Sequence, residues 1–337
     1  MSDPRPTSAP ALPASVTVLS GGVGGARFLQ GLLRRIERTG SGTEVTVIAN
    51  TGDDLWLHGL KVCPDLDTVM YTLGDGIDAE RGWGRTDETW RVKEELAAYG
   101  VGPGWFGLGD RDLATHLVRT QMLEAGYGLA DVTAALCRRW EPGVRLLPMS
   151  EDRIETHVVI DDPDTGDRRA VHFQEYWVRH RAEVPAHAVV PIGLEDATAG
   201  PGVLEAIASA DLVLIPPSNP VVSVGSILAV PGIREAVRAT TAPVVGVSGI
   251  VGDDHVHGMA RQVLGIIGVE CTAAAVAEHY GSRASGGILD AWLVDTVDAG
   301  SVARVEKAGI RCRAVPLMMT DPDATAEMVA AAVAIAS

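Results

Sequence analysis

The sequence predicts an α/β protein: a Rossmann-like, mostly parallel sheet carrying an inserted helical cap. Three observations lead there. A short apolar run, Val16–Ser20, ends in a glycine-rich turn and an amphipathic helix, the opening of a doubly wound sheet. Further apolar runs alternate with helical patterns in the second half of the chain. The composition is 46% hydrophobic and only 21% charged, and Ala, Val, Leu, Ile and Gly supply most of the apolar part, as in parallel strands buried on both faces.

Taken in order, the turn is Gly21–Gly25, and the helix after it places Phe28, Leu29, Leu32, Leu33 and Ile36 on one face. A Gly40–Gly42 break separates it from a second apolar run, Val45–Ala49. From about residue 78 to 140 the signals are helical, at Glu88–Tyr99, Leu113–Ala125 and Leu129–Trp140, which marks the insertion. Strands resume at Arg145–Pro148, Thr156–Ile160 and Ala170–Phe173, with Pro163–Asp167 turning the last two into a hairpin. Core strands follow at Leu212–Ile215, Val244–Val247, Leu289–Val294 and Arg313–Pro316. Helices Gly202–Ser209, Ile233–Ala239 and Ala324–Ile335 fit between and after them. Residues 1–15, rich in Pro, Ser and Ala without an apolar stretch, read as a disordered leader; residues 16–337 read as one domain.

The formal charge of −16 argues against nucleic-acid binding, which needs a basic footprint. It leaves room for small phosphorylated ligands held by backbone N–H groups, a few Arg and a divalent cation. No run reaches the length of a membrane span, so a cytoplasmic location is expected. Cys63, Cys137, Cys271 and Cys312 are too scattered for a zinc site or a disulfide framework.

Five segments carry candidate chemistry. In Ser20–Arg27, glycines 21, 22, 24 and 25 can let a phosphate approach backbone N–H groups, or can simply make a tight turn. It is neither a Walker loop nor a full dinucleotide fingerprint, because Arg27 stands at the third glycine position. Asn50, Asp53 and Asp54 close the second strand, where open α/β sheets bind ligands. In Pro64–Thr68, Asp65 and Asp67 lie two residues apart; in an extended segment they point the same way and can share a hard cation, although Asp67 can also cap a helix beginning at Thr68. Arg111 in Gly109–Asp112 is free to reach across a cleft, or to be a solvated ion-pair partner, and Asp112 can cap the helix after it. Ser218, Asn219, Ser223 and Gly225 follow the apolar run Leu212–Ile215 in a proline-stiffened loop that suits a nucleotide's phosphates or base edge. The histidines show no metal spacing, and no Ser-His-Asp or Cys-His arrangement stands out.

Taken together, VLSGGVGGAR (Val18–Arg27), NTGDDLW (Asn50–Trp56), PDLDTVMY (Pro64–Tyr71), LGDRDLATH (Leu108–His116), LPMSED (Leu147–Asp152), HFQEYW (His172–Trp177), PSNPVVSVG (Pro217–Gly225) and VSGIVG (Val247–Gly252) resemble the 2-phospho-L-lactate transferase family of coenzyme F-420 biosynthesis. The resemblance implies a dimeric, magnesium-assisted enzyme. Its donor is a guanosine diphosphate-linked three-carbon acid, with phosphoenolpyruvate favoured over 2-phospholactate; its acceptor is the deazaflavin Fo, and GMP leaves. It further implies Asp67 and Arg111 as acceptor or metal contacts, and the glycine turn and PSNP loop as holders of the guanosine diphosphate. Two rivals remain. A nucleotide-sugar-binding regulatory protein of the gluconeogenesis-factor type shares the glycine-rich start but typically lacks PDLDT and GDRD. An NAD-dependent dehydrogenase is disfavoured because Ala49 and Asn50 stand where an acid should end the second strand.

Overall fold

The computed structural model describes residues 11–252, 254–256 and 258–337. Seven parallel strands form its centre: β1 (Ser15–Ser20), β2 (Glu44–Ala49), β3 (Arg145–Pro148), β4 (Leu212–Ile215), β5 (Val244–Val247), β6 (Ala291–Val294) and β7 (Arg311–Ala314). Their order across the sheet is β7-β6-β5-β4-β1-β2-β3. Winding runs outward in both directions from β1, which is the Rossmann topology and places a switch point between β1 and β4. Strands β4, β5 and β6 are buried at every position, and so read as unbroken apolar runs rather than alternations.

Successive residues of these strands feed opposite cores. Leu19, Ile48, Val213 and Ile215 pack on one face; Val18, Val47, Leu212 and Leu214 pack on the other. Helix α1 (Val23–Thr39) buries Phe28, Leu29 and Leu32 and ends at Gly40 in the left-handed region. It lies against the C-terminal helix Pro322–Ala336 so closely that a Cβ on Gly31 would come 2.3 Å from Thr325 Cγ2. Fully burying each of those apolar side chains contributes roughly 1.5–3 kcal/mol.

Three sequence expectations need correction. The part of the presumed leader at residues 11–14 is structured: Leu12 is buried in the core and the Pro13 carbonyl accepts from Thr43 Oγ1; residues 1–10 lie outside the described residues. Helix α2 (Pro64–Leu73) starts at Pro64, not at Thr68, with Pro in the first turn where its missing N–H costs nothing. The inserted helices divide in role. α3 (Arg91–Ala98) buries nothing and α4 (Asp110–Glu124) buries mainly polar residues, whereas α5 (Leu129–Trp140) packs Leu129, Val132 and Leu136 into the core beside β3. α5 is therefore a layer of the doubly wound fold, and α3 and α4 form the cap proper.

A hairpin, Leu55–Leu57 with Leu60–Val62, fills the step from β2 to α2. The expected Pro163–Asp167 turn joins Glu155–Asp161 to Arg168–His172 in a separate antiparallel sheet with Ala186–Ile192.

Candidate active site

The loops after β1 and β4 meet at the switch point. Gly21 N–H donates to Ser218 Oγ at 3.2 Å, and a Cβ on Gly24 would lie 2.1 Å from the Pro217 carbonyl oxygen. None of Gly21, Gly22, Gly24 and Gly25 has positive φ. Glycine is needed here because the two loops touch, not because the backbone turns left-handed. The N-terminus of α1 carries no side-chain cap, so its first-turn N–H groups lack helical partners, and Gly22, Val23 and Gly24 line a cavity of about 610 Å³.

Asp65 and Asp67 also line this cavity, but on a helix. Residues two apart on a helix point in different directions, so the expected shared orientation is corrected. Asp65 faces the glycine loop: a Cβ on Gly22 would sit 2.6 Å from its Oδ1, and its Oδ2 accepts from Asn50 Nδ2 at 3.0 Å. Asn50 is fully buried, does not line the cavity, and uses its own carbonyl to accept from Gly52 N–H at 2.9 Å. It therefore positions Asp65 rather than touching a ligand. Asp53 lines the cavity with Asp65, and its buried Oδ1 has no hydrogen-bond partner. Burial, then the neighbouring Asp65 charge, pushes the Asp53 carboxyl well above the usual range. Burial chiefly pushes Asp65 up to about 7, with Asp54 adding to it against the Asn50 hydrogen bond. Asp54 itself points away from the cavity, in an ion pair with Lys61 at 3.0 Å.

Asp67 is engaged by a residue the sequence did not single out. Arg119, 1% exposed, donates from Nη1 to Asp67 Oδ2 at 3.0 Å and pairs through Nη2 with Oδ1. Arg119 and Asp67 are 52 residues apart, and no local pattern links them. Arg111, the expected site arginine, lies outside the cavity lining; it donates to the Thr86 carbonyl and faces Asp87 at 3.7 Å. The cap assignments shift too. Gly109 precedes α4, so Asp112 lies within its first turn, while Asp110 accepts from Arg91 and Val92 N–H at the start of α3.

Two arginines that do reach the cavity were missed. Arg27 lines it from α1, is exposed, and has no ion-pair partner among the described residues. Arg81 lies 5.3 Å from the ring centroids of both Trp83 and Trp90. Arg27 closes the GGVGGAR segment at the position where a dinucleotide fingerprint has its third glycine, so the sequence offered a cation there. On the β4 side, Ser218, Asn219 and Ser223 line the cavity, whereas Gly225 sits behind them, its Cβ direction blocked by Pro220 O at 2.7 Å. Asn219 Oδ1 is committed to the loop, accepting from Val221 and Val222 N–H. Trp83, Phe106 and Trp177 supply apolar wall.

Among the described residues no three His, Cys, Asp or Glu side chains are grouped as a self-sufficient metal cage. Two buried carboxylates that line one cavity, with an unpartnered oxygen on Asp53, nonetheless fit a magnesium ion, which is commonly bound by one or two carboxylates and completes its shell with water and phosphate oxygens. Asp53 and Asp65 are that pair. Asp67 is already neutralised by Arg119.

Fold and site define a doubly wound α/β protein with an acidic, glycine-edged cavity at its switch point. The chain belongs to the family described as 2-phospho-L-lactate transferase CofD, whose profile matches residues 16–331. It is 70% identical over 321 residues to the phosphoenolpyruvate transferase of Streptomyces avermitilis and 67% identical over 321 residues to that of Streptomyces griseus, each alignment covering 95% of this chain and 98% of the relative. The phosphoenolpyruvate transferase of Mycobacterium avium is 60% identical over 336 residues, covering 95% of this chain and 98% of its own. Among solved structures, a UPF0052-family protein from Bacillus halodurans superposes with a TM-score of 0.60 at 18% identity, over 95% of this chain and 100% of that one, which shows a shared fold. No helix among the described residues is long and apolar enough to cross a membrane.

Proposed function

We propose that the protein transfers a phosphoenolpyruvyl group from a guanosine diphosphate-linked donor to the terminal hydroxyl of the deazaflavin Fo, releasing GMP. The observation that carries this reading is the conjunction at the switch point. Uncapped α1 N–H groups, Arg27 without an ion-pair partner among the described residues, and the Asp53–Asp65 pair all line one cavity. The helix N-terminus and Arg27 suit the anionic diphosphate and carboxylate of such a donor. Asp53 and Asp65 would hold the magnesium ion. When bound, the ion would neutralise charge on the diphosphate oxygens.

The chain's own contribution is positioning and charge matching, as expected for in-line displacement at phosphorus. The loop after β4 presents Ser218 and Ser223 hydroxyls opposite the glycine turn. The aromatic wall of Trp83, Phe106 and Trp177 suits the flat ring system of the acceptor. The names of the relatives support the enolpyruvyl over the lactyl donor.

The test combines purified protein, magnesium, Fo and each synthetic guanosine donor, with products followed by mass. Product from the enolpyruvyl donor is expected. Product from the lactyl donor alone would keep the reaction and overturn the donor. No product from either, with nucleotide binding retained, would overturn the transferase reading.

A further inference from the structure

The acceptor's hydroxyl must lose a proton as it attacks, and the cap wall of the cavity holds an arrangement suited to receive it. Tyr71, Asp112 and His116 all line the cavity there, one turn and more from the Asp65 end of α2. Tyr71 OH donates to Asp112 Oδ1 at 2.7 Å, and Asp112 Oδ2 lies 3.4 Å from His116 Nε2. His116 is 1% exposed, and its Nε2 finds no hydrogen-bond partner among the described residues. On its other edge, Nδ1 lies 3.1 Å from Arg119 Nη1. A guanidinium only donates, so Nδ1 accepts and the ring proton sits on Nε2, beside Asp112. Arg119 is in turn fixed by Asp67, so the ring cannot easily exchange its edges.

Resting on the transferase reading above, we infer that Asp112 accepts the proton of the attacking acceptor hydroxyl, with Tyr71 and His116 as positioning residues that hold its carboxylate toward the cavity. The hydroxyl oxygen forms the new bond to the phosphorus next to the three-carbon acid. The bond from that phosphorus to the bridging oxygen breaks, and its electron pair leaves with GMP. The proton passes to Asp112. Carboxylates play this part in phosphoryl transfer to hydroxyl groups elsewhere.

The surroundings agree with an ionised Asp112. Burial opposes its charge, but the adjoining His116 ring and the Tyr71 hydroxyl outweigh it and hold the carboxyl below the usual range. The charged and titratable groups facing it are Tyr71 and Asp67 from α2, His116 and Arg119 from α4, and Arg85 and Glu88 from the loop before α3. Glu88 takes the Asp112 N–H at 3.1 Å, and Arg85 lies 5.8 Å from the Tyr71 ring centroid.

The experiment uses the full chain with magnesium, Fo and the donor that the wild type turns over; a wild type without turnover would refute the transferase reading, and the inference with it. Asp112→Asn is expected to lower kcat by about 100-fold or more, with donor affinity by calorimetry within about twofold of wild type. Tyr71→Phe removes a donor to the carboxylate, so the acid limb of its kcat/KM profile should move to higher pH while the plateau survives. An active wild type with Asp112→Asn turnover within about threefold of it would overturn the inference. So would a Tyr71→Phe profile superimposed on the wild-type curve, which is the deciding measurement if Asp112→Asn does not fold.

Discussion

Arg119 closes on Asp67 through both carboxylate oxygens, and neither side chain meets solvent appreciably. A buried pair of this kind is poor evidence of net stabilisation, but breaking it leaves a naked charge. Asp67→Asn should therefore destabilise the fold by about 3–5 kcal/mol in denaturant titration, with the loss of activity following the loss of folded protein. Unchanged stability with abolished turnover would return Asp67 to the chemistry.

Asp53 and Asp65 carry the opposite expectation. Burial, then the charge of Asp65, raises the Asp53 carboxyl, so neutralising Asp65 removes both a buried charge and a repulsion. Asp65→Asn should raise the melting temperature of the metal-free protein by about 2 °C or more. At saturating magnesium it should still lower turnover by about 100-fold or more, since a lost carboxylate ligand costs several kcal/mol of transition-state stabilisation. A variant that melts lower and turns over normally would contradict both halves.

The same pair fixes a pH dependence. Asp65 titrates near 7 in the folded protein and in the ordinary carboxylate range when unfolded, so the folded state binds more protons between these values. Stability from this group is complete below the unfolded pKa and is lost as pH rises through about 7. Metal-free protein should melt progressively lower from pH 5 to 8, and magnesium should raise the melting temperature more at pH 8 than at pH 5. Equal magnesium shifts at both values would argue against a site built on these carboxylates.

Arg27 and Arg111 should part company. Arg27 has no ion-pair partner among the described residues, so Arg27→Gln should leave stability within about 0.5 kcal/mol while raising the donor KM by about tenfold. Arg111→Ala, outside the cavity, should change KM less than about twofold. Steady-state kinetics on the two variants side by side would decide it.

Gly24 tests the seam between the two loops. With Pro217 O only 2.1 Å from the Cβ that alanine would bring, Gly24→Ala must push the β1 and β4 loops apart. A cost of about 1–3 kcal/mol in thermal or denaturant unfolding is expected, together with weaker nucleotide binding by calorimetry.

Much of the scaffold was legible because its signals are local. The runs Val16–Ser20, Leu212–Ile215 and Val244–Val247 are strands because short, mainly apolar runs with β-branched residues suit a parallel sheet buried on both faces. α5 was found to its last residue, yet its packing into the core rather than the cap was not, since an apolar stripe does not say which surface covers it. The candidate site divides the same way. Asp53, Ser218 and Ser223 line the cavity from segments after strands of the main sheet, where α/β sheets bind ligands, and Asp65 from the helix beyond the hairpin.

The sequence by itself determined the doubly wound order of elements, the glycine turn and the acidic character of the crevice, all properties of neighbouring residues. Only the tertiary structure decided that Asp65 stands with Asp53, that Asp67 belongs to Arg119, and that Arg27 rather than Arg111 faces the cavity. A helix turns its carboxylates apart by about 100° per residue. Which partner each then meets depends on side chains brought from distant parts of the chain by the packing of the cap and the winding of the sheet.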